Sequence, residues 1–108
     1  MKVMIHIENR NRSYYAEGIY SQEGIIVKKG GKISDFFAEY IRGGKKAMEY
    51  RSNREYVDAQ GIIVKDCIFK SPSTAAQFVT GRSVNGYNIW KVVDGKTLGN
   101  YLQEQGLR

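Results

Sequence analysis

One cysteine, one histidine, one proline and one tryptophan occur in 108 residues, and each scarcity closes off a class of function. Cys67 has no second thiol to pair with, which excludes an internal disulfide and the disulfide framework of small secreted domains. His6 and Cys67 stand far apart in the chain and cannot supply the ligands of a zinc site, or a thiol–imidazole dyad, without scattered carboxylates. No metal, no cofactor and no catalytic group is therefore expected. The 12 glycines form neither a Walker-type loop nor a dinucleotide fingerprint at a strand-to-helix junction. No apolar run approaches the roughly 18 residues that a bilayer span needs. The opening "MKVMIHIENRNR" alternates like a strand and lacks the apolar core and cleavage site of a signal peptide. The expectation is a cytoplasmic protein that makes no membrane contact. A lone proline leaves no proline-rich linker, and the length suits one domain, residues 1–108, with a single core.

Acidic residues are also few, 11 against 17 lysines and arginines, for a net charge of +6. The imbalance is concentrated. Between Lys28 and Arg54, eight basic residues (Lys28, Lys29, Lys32, Arg42, Lys45, Lys46, Arg51, Arg54) stand against three acidic ones (Asp35, Glu39, Glu49), so eight less three leaves +5 of the +6 in that segment. Such a field suits a polyanion, because neutralising phosphates supplies most of the non-specific affinity for nucleic acid. It equally suits a solvated face that keeps a protein soluble, and charge alone leaves both readings open.

What is present reads as short strands followed by helices. Val3, Ile5 and Ile7 alternate in "KVMIHIE", the period of a half-buried strand. "YYAEGIYSQEGIIVKKGGKIS" predicts strands over Tyr14–Ser21 and Gly24–Lys28, joined by a polar turn and ended by Gly30-Gly31. Ser34 or Asp35 could cap a short segment "FFAEYI". "KKAMEYRSNREYVDAQ", residues 45–60, is rich in helix formers, ends at Gly61, and predicts the longest, central helix. "IIVKDCIF" predicts one or two further strands and a buried thiol at Cys67. In "SPSTAAQFVTG", Ser71 suits an N-cap, Pro72 the first helical position and Gly81 a left-handed C-cap, with Ala75, Ala76, Phe78 and Val79 facing inward. Asn85-Gly86 then predicts a turn, Tyr87–Val93 a strand around a buried Trp90, Asp94-Gly95 a turn, and Thr97–Gln105 a C-terminal helix. The expected fold is α+β: a small antiparallel sheet of short strands, one central helix, a short SPS-capped helix and a C-terminal helix.

"GIY" at Gly18–Tyr20 and "YIRGG" at Tyr40–Gly44 match the two halves of the GIY-YIG nuclease signature only in part. The second half lacks the glycine directly after isoleucine, and nothing downstream clearly supplies the arginine and metal-binding glutamate of such enzymes. "FKSPSTAAQFVTGRSVNGYNIWK", with "DGKTLGNYL" after it, resembles more specifically the small domain of unknown function found at the C-terminal end of GIY-YIG-family and restriction-modification proteins. That domain is related to the RAMA domain, named for its association with restriction enzymes and adenine methylases. The resemblance covers Phe69–Leu102 and continues upstream through "GIIVKKGGKIS" and "YVDAQGII"; Tyr87 stands where the family more often has tryptophan. It implies a compact, non-catalytic α+β module that binds DNA or senses its modification, with a nuclease or methylase as a partner.

The residues that would make such a contact are Arg82, Ser83, Asn85, Tyr87 and Lys91 near the motif, and Lys45, Lys46 and Arg51 upstream. Arg82 follows a helix C-terminus, so it could either bond the last carbonyls or reach a phosphate or guanine. Asn85 could serve only its turn, and Tyr87 could offer a ring for stacking. Three functions follow: a module that binds nucleic acid, most simply duplex DNA; a protein-interaction or regulatory module with a solvated basic face; and a minimal GIY-YIG-like nuclease.

Overall fold

The computed structural model describes residues 1–38 and 44–108. Four strands, β1 (Lys2–Glu8), β2 (Tyr15–Ser21), β3 (Gly24–Val27) and β4 (Cys67–Phe69), form an antiparallel meander in the order β1-β2-β3-β4. Register follows the apolar alternation. Ile5 lies opposite Gly18 and Gly18 opposite Val27, Ile25 lies opposite Phe69, and Val27 lies opposite Cys67, so one face collects the residues that must leave water. The hairpin between β2 and β3 closes at the Ser21–Gly24 pair, as its polar turn predicts.

The inward face packs on α2 (Pro72–Thr80), which touches β2, β3 and β4, while α1 (Lys45–Arg51) lies beside α2. The chain then continues through α3 (Gly86–Ile89) and α4 (Leu98–Glu104). This is an α+β fold. Among the described residues no helix is long and apolar enough to cross a membrane. Ala75, Ala76, Phe78, Val79, Trp90 and Leu98 are fully buried, and Trp90 Nε1 donates to the Pro72 carbonyl at 3.0 Å. α2 has the predicted ends: Ser71 Oγ accepts from the Thr74 amide, and Gly81 takes φ +72°. α4 lies within the predicted span, and the Thr97 side chain caps it by accepting from the Asn100 amide.

Two expectations are corrected. The central helix is α2 and not residues 45–60, because α1 stops at Arg51. There the Asn53 side chain accepts from the Glu55 amide and competes with the helix, and Val57 is drawn into the core to bridge Ile63. The strand expected over Tyr87–Val93 is replaced by α3 and isolated bridges from Lys91 to His6 and Thr97. Asn85 Oδ1 caps the Tyr87 amide, and Gly86 presses on Pro72–Ser73 so closely that a Cβ would overlap the Pro72 carbonyl group. In "FFAEYI", Phe36–Ala38 are not helical, and the rest lies outside the described residues.

Each edge of the sheet is met at one point. His6 and Lys91 exchange backbone hydrogen bonds of 2.9 Å along β1, and the Ile68 amide of β4 donates to the Tyr50 hydroxyl at 3.1 Å.

Candidate nucleic-acid interface

The C-terminus of α2 organises this surface. A helix end leaves several carbonyls without intrahelical donors, and here each finds one from another part of the chain. Phe78 O accepts from Arg51 Nε at 2.8 Å, Val79 O from the Ser34 amide at 2.8 Å, and Thr80 O from Ser34 Oγ at 2.7 Å. Gly81 O accepts from the Ala38 amide at 2.7 Å. Arg51 also donates to Ser34 O at 3.2 Å and Ser34 Oγ at 2.9 Å, and its guanidinium covers the Phe37 ring. Burial lowers its pKa to about 10, with Asp35 opposing, so it stays charged at neutral pH.

Arg51 therefore has a different task from the phosphate contact expected of it: it is the clamp on the end of α2. The cause is geometric, because α1 runs beside α2 and delivers its last side chain to those carbonyls. Arg82, which could have done the same work, is left outside. Its side chain is exposed, its guanidinium carbon lies 5.3 Å from the centroid of the Phe36 ring, and no carboxylate pairs with it among the described residues.

From Arg82 the chain runs back along α2, since Gly86 rests on Pro72 at the other end. Ser83 and Asn85 are exposed on this return, although Asn85 Oδ1 is engaged as the cap of α3. Tyr87 is half-buried, and the guanidinium of Arg108, 3.9 Å from the ring centroid, takes one face of its ring. Burial, and Tyr87 beside it, raise the Tyr20 hydroxyl above its usual value. Lys91 lies past Trp90 at the β1 edge, away from this loop, with its backbone bonded to His6.

Lys45 and Lys46 are exposed at the start of α1. Lys46 joins Lys70, Tyr50, Thr74 and Glu23 in lining a cleft of about 580 Å³ beside β4. The fold thus places Arg51, Arg82 and Ser83 at the C-terminal end of α2 and Lys46 near its N-terminal end, with the nine residues of the helix, roughly 14 Å, between them, and leaves Lys91 apart at the β1 edge. Lys70 and Arg108 were not foreseen. Lys70 could have been marked by its place just before the Ser71 cap, whereas only the fold brings Arg108 to Tyr87. Of the GIY-YIG halves, Gly18–Tyr20 lie within β2, and Tyr40–Gly43 fall outside the described residues. Among the described residues no cluster of histidine, cysteine or carboxylates could hold a metal ion.

A family model described as a domain of unknown function (DUF4357) matches residues 5–102. No curated protein and no solved structure matches the chain.

Proposed function

The chain belongs to the DUF4357 family, and from that premise we propose that it is a non-catalytic module that binds duplex DNA in the service of a restriction or DNA-modification enzyme. The observation that carries this reading is the release of Arg82. Because Arg51 and Ser34 satisfy the end of α2, Arg82 remains an exposed guanidinium, steadied by Phe36 and without an acid partner among the described residues, beside Ser83. Such a group can donate two parallel hydrogen bonds to guanine or a phosphate. Lys45, Lys46 and Lys70 at the other end of α2 add phosphate contacts. α2, which runs between the groups, is roughly 14 Å long, comparable with the ~12 Å width of the major groove. The resemblance of the Phe69–Leu102 segment to domains of restriction-modification proteins supports the choice of DNA and of a nuclease or methylase as the working partner.

A titration against methylated and unmethylated duplexes at two salt concentrations tests the reading. Binding should weaken steeply with salt, and Arg82→Ala should cost about 1–3 kcal/mol on the preferred duplex while leaving the melting temperature unchanged. No salt-sensitive binding to any duplex at micromolar protein would sink the proposal.

A further inference from the structure

The outward face of the sheet carries a row that the DNA reading does not use. Met4 lies opposite Ile19, Ile19 opposite Ile26, and Ile26 opposite Ile68, so one apolar residue from each strand forms a line across all four. Met4 is 51% and Ile68 62% exposed, and among the described residues no helix covers the row. Val93, 95% exposed, extends it beyond Met4, with which it shares a small cleft. A stripe this continuous is unlike scattered apolar surface residues and marks a site of association.

The adjoining row indicates the partner. His6 lies opposite Glu17, the Lys28 amide bonds to the Glu17 carbonyl, and Asp66 comes one position before Cys67, the partner of Val27. Along this row Glu17, Lys28 and Asp66 alternate in sign, with the imidazole of His6 beside Glu17 at its end. A two-fold axis along the strands, between β2 and β3, sets β1 against β4 of a second copy and β2 against β3. Met4 then meets Ile68, Ile19 meets Ile26, Glu17 meets Lys28 twice, and His6 meets Asp66. The pattern is self-complementary, as a closed two-fold interface requires. Lys2 and Lys70 fall at the rim, where water and salt screen them.

We propose that the chain pairs with a second copy of itself through this sheet face. Four strands spaced by about 4.8 Å give a face roughly 19 Å wide, and the short β3 and β4 limit its shared height to about 14 Å, so two such faces bury on the order of 500 Å², the size of a weak, transient contact. The pair is correspondingly weak, with a dissociation constant in the micromolar range. Ile68 lines the same cleft as Lys46 and Lys70, so the pair and the DNA site share that edge of the sheet, and pairing is tested without DNA.

Sedimentation velocity of the full chain between about 1 µM and about 1 mM tests it. The mass should rise from the 12.3 kDa monomer to a plateau at twice that value. Ile68→Lys and Met4→Lys, both at exposed positions, should each raise the dissociation constant about 10-fold or more with the thermal melt unchanged. Glu17→Lys should weaken the pair and Lys28→Glu added to it should restore it. A monomer at every concentration, a mass that climbs past the dimer without a plateau, or failure of the charge swap to restore pairing would each overturn the proposal.

Discussion

Arg51 and Arg82 compete for the same carbonyls, and backbone geometry decides between them. Arg82 follows a left-handed glycine that turns the chain away from the helix axis, whereas Arg51 arrives from the neighbouring helix with its fork already aimed. Arg51→Ala should leave the Phe78 carbonyl and Ser34 short of donors at a partly buried site. The expected cost is about 2–3 kcal/mol, which lowers the melting temperature by roughly 8–20 °C. Arg51→Lys should recover less than half of this, because a point-like ammonium cannot span both partners. A circular-dichroism melt of Arg51→Lys that matches wild type would refute the clamp. Cys67 gives a second test at this scale. Burial pushes its thiol up to about 12 from an ordinary 9.0, so between those values the unfolded chain ionises and the folded one does not. Its contribution to stability is complete below pH 9 and is lost as pH rises towards 12. Wild type should therefore lose stability over that window more steeply than Cys67→Ala, and a thiol reagent at pH 8 should leave native Cys67 unmodified.

Elements whose signals are local were legible. β1 and β2 follow from alternation, α2 from its caps, α4 from the turn before it, and Trp90 as core from its being the lone tryptophan in a small domain. The misreadings share one cause, which is that long-range packing overrode a local preference. Residues 45–60 have the composition of one helix, but Val57 and Ile63 gain more by pairing under the sheet than by extending it. Asn85-Gly86 has the composition of a hairpin turn. The glycine, however, serves a helix start that lies directly on another helix, where its amide donates to Ser73 Oγ at 2.9 Å. Gly86→Ala should consequently force α3 away from Pro72 and take Trp90 with it, costing about 2–4 kcal/mol. Gly95→Ala, at a turn with open space and φ +90°, should cost only about 1 kcal/mol. Equal melting temperatures for the two variants would show that the close approach does not matter.

At the scale of the whole molecule, charge was legible as an amount but not as a surface. The +5 segment is divided by folding: Arg51 is withdrawn to carbonyls, Lys32 lies 3.9 Å from Asp35, and Lys46 faces a cleft it shares with Lys70 from outside the segment. Neutralising Lys45 and Lys46 together should weaken binding to every duplex alike and flatten the salt dependence by about one unit of slope per lost phosphate contact. A change confined to one duplex sequence would instead make them readers. The sheet edges, each met at one point, bear on how the protein behaves when concentrated. An unpaired edge is a template on which strands from other chains can stack without limit, the route by which small β-containing proteins form fibrils. Here a tyrosine hydroxyl holds the Ile68 amide on one side and Lys91 closes β1 at His6 on the other, so the described edges offer no long run for an incoming strand. Freeing the Ile68 amide, as Tyr50→Phe would, should turn a solution that stays clear on standing into one that seeds ordered aggregates.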